Sequence, residues 1–154
     1  MEMKEKVISE MQILSYLMEV PMFSSMDLDD LNMLKQICVL KDWDADRVIF
    51  REGDEGDSLI IILKGEVEVL KNSPSGPVSL AKLGHGEVVG DMALLDGEHR
   101  SATVKTLEEC STLRISRADF EFLLSVRPSL NRSVMKTLTS RLRQLQQKVI
   151  SVNK

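Results

Sequence analysis

The sequence predicts a mainly β fold, an antiparallel barrel or jelly roll with helices at both ends, and three features predict it. Between residues 38 and 116 the apolar residues come in short runs bounded by glycine turns, the pattern of consecutive antiparallel strands. Within that stretch Glu66, Val67, Glu68 and Val69 alternate, which turns valines to a core and glutamates to water. On either side, apolar residues return every three or four positions, the period of a helix buried along one face.

Taken in order, a first helix is expected over residues 4–18, where Val7, Ile8, Met11, Leu14, Leu17 and Met18 share a face and Pro21 ends the pattern. A second opens at Asp27, whose carboxylate caps the turn while Asp29 and Asp30 complement the positive end of the helix dipole. Leu28, Leu31, Leu34 and Ile37 then point inward. The run Leu59, Ile60, Ile61, Ile62, Leu63 is apolar throughout, so that strand is covered on both faces. Residues 72–77 are a loop between strands, and Gly53, Gly56 and Gly65 read as turn residues at positive φ. Helix resumes after Ser116, an N-cap with Asp119 three residues on, and carries Phe120, Leu123 and Leu124 to Pro128. The last helix runs from about 129 to 149, with Leu138, Leu142, Leu145, Val149 and Val152 spaced alternately by four and three, a stripe of about two heptads. Such a stripe suits packing on the barrel mouth or pairing with a second copy.

With 154 residues, 43% of them hydrophobic, the chain can bury one substantial core. It reads as a single domain over 1–154: N-terminal helices to 37, the β region 38–116, and C-terminal helices from 117. A formal net charge of −4 gives no general affinity for nucleic acid. The distribution is uneven. After Glu121 there is no acidic residue but seven cations, Arg127, Arg132, Lys136, Arg141, Arg143, Lys148 and Lys154, while the preceding residues carry 13 cations against 24 anions, or −11. Such a tail meets an acidic surface or is solvated as a helix whose cations suit its C-terminal dipole. The first residues alternate in charge, unlike a secretory signal, and no apolar run approaches a membrane span. Cys38 and Cys110 lack CxxC spacing and are expected as buried free thiols of a cytoplasmic protein.

The residues that carry chemistry lie between 90 and 103. Val88 and Val89 end a strand at Gly90, and a single helical turn from Met92 through Ala93 and Leu94 to Leu95 presents free backbone N–H groups to an anion. Arg100 follows, with a planar fork suited to two phosphate oxygens. Ser101 and Ala102 are small enough for their backbone N–H groups to join the same concave nest. This is a cradle for one small phosphate, and it implies recognition without turnover. No nucleophile-elbow sequence or Walker-type loop is present, and His85 and His99 do not make a metal set. Neither an enzyme nor a cofactor is therefore expected.

Residues 90–103 resemble the phosphate-binding cassette of the cyclic-nucleotide-binding domain family, in which Gly-Glu-x-Ala-Leu is followed by a short loop and Arg-(Ala/Ser/Thr)-Ala-(Thr/Ser). The resemblance extends upstream through residues 20–23, 48–59 and 63–69. It implies an antiparallel β-roll, or double-stranded β-helix, that binds a cyclic nucleotide and signals through a partner. The family's glutamate, on the ribose 2′-hydroxyl, is Asp91 here, shorter by roughly 1.5 Å of reach. Loss of that hydrogen bond is worth about 1.5–3 kcal/mol, and a bridging water recovers part of it. By the same resemblance Val89 packs beside the sugar, Ala81 and Leu83 face the purine or ribose, and Arg141, Leu145 and Gln146 of the last helix cover the base. That helix also forms the dimer seam in relatives. Ser101 occurs in sites for both cAMP and cGMP. The resemblance thus implies a regulatory module for cAMP, with cGMP as the second candidate, an effector protein as partner, a homodimer through the last helix and no DNA-binding domain. The alternative is a scaffold module whose nucleotide site has weakened, with Asp91 as the sign.

Overall fold

The computed structural model describes residues 10–152. The chain forms two compact units, one from the segments before residue 37 and after residue 122, the other continuous over 37–122.

In the first unit, α1 (Glu10–Glu19) is followed by a short 3-10 turn (Pro21–Phe23) and α2 (Leu28–Ile37). Leu17 is fully buried, whereas Met11 and Met18 are exposed, contrary to the expected inward face. Both lie about 100° or more around the helix from Leu17, outside the strip that packs. Val7 and Ile8 lie outside the described residues. Asp27 caps α2 as its position predicts, its Oδ1 accepting the Asp30 N–H at 2.9 Å. Leu31 and Leu34 are buried, but Leu28 is exposed. Steps of three residues walk about 60° round a helix each time, so Leu28 leaves the face that Leu31 and Leu34 share.

Among the described residues of this unit the least exposed charge is Asp30, at 1%. Its Oδ1 accepts from Arg127 Nη2 at 2.8 Å, Arg127 Nε at 3.1 Å and Ser129 Oγ at 2.9 Å. The anion at the start of α2 is thereby fixed to the junction of α4 (Arg117–Val126) and α5 (Pro128–Val152). Proline is tolerated as the first residue of α5 because no intrahelical acceptor awaits its missing N–H. Leu130, Val134 and Thr137 of α5 are buried. Every residue from Leu142 to Ile150 is exposed.

The second unit confirms the antiparallel expectation. Its strands are β1 (Cys38–Trp43), β2 (Val48–Phe50), β3 (Ser58–Lys64), β4 (Val67–Lys71), β5 (Val78–Leu83), β6 (Val88–Val89), β7 (Thr103–Thr106) and β8 (Cys110–Ser116). They form two four-stranded antiparallel sheets, β1-β8-β3-β6 and β2-β7-β4-β5. A core of Ile60, Ile62, Val67, Val104 and Cys110 packs with Trp43, Ile49, Phe50, Val69, Leu83 and Val89. As expected, β3 is buried along all but its last residue. Ser116 Oγ accepts the Asp119 N–H at 3.1 Å, which caps α4, and Phe120 is fully buried. Cys110 is buried and Cys38 only half-buried, and neither is in a disulfide. Burial pushes the Cys38 thiol up to about 12, so it stays protonated and inert at neutral pH.

Gly53 and Gly65 have the positive φ expected of them, but Gly56 does not. Gly56 is required by close approach: a Cβ there would strike the Glu98 carbonyl oxygen and come within 2.6 Å of the Ala93 Cβ. Gly56→Ala is expected to cost about 1–3 kcal/mol, the range for overpacking, measured as a fall in the urea midpoint at unchanged slope. Asp30→Ala is expected to cost about 1–3 kcal/mol in the same experiment, because it leaves part-buried donors of Arg127 and Ser129 without their acceptor. A midpoint equal to wild type for Asp30→Ala would mean that water replaces the carboxylate.

Candidate functional site

Strand β6 pairs with β3 through Val89 opposite Ile60 and delivers the chain to Gly90. That residue must be glycine on two grounds. Its φ of 81° favours glycine, and a Cβ would collide with Arg100 Nη1 and lie 2.9 Å from the Ser58 carbonyl oxygen. One helical turn follows, α3 (Ala93–Asp96), anchored by Leu94, which is fully buried. The turn's internal bonds begin with the Leu95 N–H, which donates to the Met92 oxygen at 3.0 Å. Amides at the start of a helix lie outside the intrahelical ladder.

The loop after α3 is held to the turn before β3 by backbone hydrogen bonds. Arg100 N–H donates to the Asp54 oxygen at 2.7 Å, and Gly53 N–H donates to the Arg100 oxygen at 2.8 Å. This fixes where the Arg100 side chain starts. The guanidinium is then led inward over the Phe50 ring, 3.9 Å from its centroid, a cation–π contact in a desolvated place. Nη2 donates to the Ser58 carbonyl at 2.8 Å and its hydroxyl at 3.1 Å, with Asp57 Oδ1 at 3.6 Å. Asp57 also lies 3.5 Å from Arg114.

Two other nitrogens of the group, Nε and Nη1, are buried with no hydrogen-bond partner. Burial draws the Arg100 pKa below its ordinary value, Asp57 opposing and Arg114 reinforcing that shift. A guanidinium remains charged at neutral pH even so. The site therefore holds a desolvated cation with unused donors.

Nη1 lies against Gly90, and Gly90 and Arg100 both line a cavity of about 340 Å³. Of the residues expected to bind ligand, the structure brings Val89, Gly90, Asp91, Met92, Ala93, Arg100, Ser101 and Ala102 together around it. Leu94 lies in the core beneath its turn. Ala81 and Leu83 are on β5 and do not line the cavity, Leu83 packing against the central core instead. Arg141, Leu145 and Gln146 are on α5, in the other unit.

Three lining residues, Phe50, Val69 and Val104, were not picked out from the sequence. They are cross-strand neighbours, Val104 pairing with Phe50 on one side and Val69 on the other. The alternation of Val67 and Val69 was the available signal, but strand pairing decides which cavity that face lines. Asp96, Glu98 and His99 also reach the cavity. His85 is elsewhere, its Nδ1 2.8 Å from the Leu63 carbonyl. Among the described residues no cluster of three metal-ligating side chains occurs, and no helix is long and apolar enough to cross a membrane.

Comparison with known proteins bears on the family of the chain. A cyclic nucleotide-gated potassium channel of Rhizobium etli is 39% identical over 97 residues, 63% of this chain and 26% of the channel. A cAMP-dependent protein kinase regulatory subunit of Aspergillus niger is 30% identical over 110 residues, 71% of this chain and 26% of the subunit. The chain thus spans about a quarter of the length of either relative. Among solved structures, the N-terminal domain of a transcriptional regulator from Streptomyces coelicolor superposes with a TM-score of 0.79 at 29% identity, covering 84% of this chain and 94% of that one. The profile of the cyclic nucleotide-binding domain matches residues 40–127, more than half the chain, and this protein belongs to that family.

Proposed function

We propose that the cavity beside Arg100 binds cAMP and that the chain acts as a regulatory module read by a partner protein. The observation that carries this is the pair of buried, unpartnered Arg100 nitrogens, Nε and Nη1. Leaving donors of a buried cation unpaired is costly, and an anionic phosphate oxygen at Nη1 removes that cost with a charge-assisted bond. The first amides of α3 and the Ser101 backbone add donors on the same cavity wall. A cyclic phosphate diester suits the site because it offers one delocalised negative charge. That charge matters, since Asp91, Asp96 and Glu98 also line the cavity and would repel a more highly charged phosphate. The kinase regulatory subunit named above supports cAMP as the nucleotide.

Asp91 lines the cavity, and we read it as the residue that meets the ribose, directly or through water. Nucleotide binding regulates only by favouring one conformation over another; the groups poised to transmit it are Ser58 and Asp57, which hold Nη2.

Titration calorimetry with cAMP tests the reading. Arg100→Ala is expected to weaken binding by about 2–5 kcal/mol, the range for truncating one partner of a buried charge pair. Arg100→Lys should also bind more weakly, because an ammonium does not reproduce the planar donors over Phe50. Equal affinity in all three proteins would overturn the phosphate site, and a wild type that binds no cyclic nucleotide would leave the scaffold role. Asp91→Glu is expected to tighten cAMP by about 1–2 kcal/mol and to leave the 2′-deoxy analogue unchanged. The same gain for both nucleotides would show that position 91 does not read the 2′-hydroxyl.

A further inference from the structure

From Leu142 to Ile150 no residue of α5 is buried. Its exposed apolar side chains are ordered. Met135, Leu142, Leu145 and Val149 are each more than half exposed and fall on one face at helical spacing, which Ile150 widens. Arg141 and Lys148 follow one edge of that face, and Arg132, Lys136 and Arg143 the other. The opposite face, Ser140, Gln144 and Gln147, is polar and uncharged.

We propose that this half of α5 lies in the plane of an anionic lipid surface, its apolar stripe among the acyl chains and its two rows of cations at the headgroups. Charge complementarity selects this occupant. Nucleic acid would pair with the cations but offers nothing to the stripe. A second copy would cover the stripe, yet no acidic residue exists beyond Glu121, so pairing of two such helices supplies no interhelical ion pair of the kind that sets coiled-coil partners. An anionic bilayer meets both needs, and cations flanking an apolar face are the pattern of helices that lie on membranes. No described helix is long and apolar enough to span one. Residues 1–121, at −11, are repelled by the same surface, which limits contact to the basic helix.

Flotation of the purified chain with vesicles of phosphatidylcholine alone, or mixed with phosphatidylglycerol, tests this. Binding is expected to the anionic vesicles only and to be released by high salt. Leu142→Gln combined with Leu145→Gln should abolish it. Lys136→Gln, Arg143→Gln and Lys148→Gln together, which leave the stripe intact, should weaken it on the order of a hundredfold, at about fivefold per cation. Flotation with neither kind of vesicle, or equally with both, would overturn the proposal. So would a dimer in analytical ultracentrifugation that the Leu142 and Leu145 changes dissociate while vesicle binding persists, since the stripe would then belong to a second copy.

Discussion

A single guanidinium held away from water organises the β unit of this protein. Arg100 is 6% exposed, and burying a charge that incompletely paired is tolerated only where the surroundings hold it in place. Phe50 lies beneath its plane, Ser58 takes one end, and Gly90 leaves room for the other by having no side chain. The loop that carries it is pinned by two backbone bonds to the turn at residues 53 and 54. All of these contacts except that with Gly90 join segments distant in sequence, so the cavity wall and the fold are set by the same interactions.

The loop between α3 and β7 is bounded by a second arginine of similar character. Arg117 pairs with Glu121 through Nη2 at 3.0 Å, while its Nε is buried without a partner. A Cβ at Gly97 would come within 2.7 Å of its Cζ. The turn Ala93–Asp96 therefore has a guanidinium packed beyond its C-terminal end, where a cation suits the dipole, and the Arg100 guanidinium at the cavity it borders. Glycine at 90 and 97 permits both approaches, and glycine at 56 admits the Glu98 carbonyl between them. Small residues in this cassette act mainly by making room.

In the helical unit the organising charge has the opposite sign. Asp30 is satisfied by Arg127 and Ser129, so one cation of the basic C-terminal region is consumed internally. Those farther along α5 are not neutralised by neighbours on their own helix, which has no acidic residue. The uneven charge seen in the sequence thus divides into a structural part near Arg127 and a surface part beyond it.

Much of this was readable in the sequence because it depends on neighbours along the chain. The β region begins at Cys38 and ends at Ser116 as the change of period predicts, since alternation and turn residues are local properties. The caps at Asp27 and Ser116 span three residues and are likewise local. The cassette's glycine, turn and arginine lie within one short stretch, so their gathering at one cavity was legible too. Long-range packing decided the rest. Leu28, Met11 and Met18 are apolar yet exposed, because periodicity names a helical face but not how wide a strip its neighbours cover. Gly56 serves a close approach invisible without Glu98 beside it. Phe50, Val69 and Val104 line the cavity because β7 pairs with β2 on one side and β4 on the other. The same pairing sets Phe50 beneath Arg100, fifty residues away along the chain. Sequence determined the segments and the chemistry of the cassette. Tertiary structure decided which side chains surround it, because strand pairing between distant segments is chosen by the burial of the whole fold.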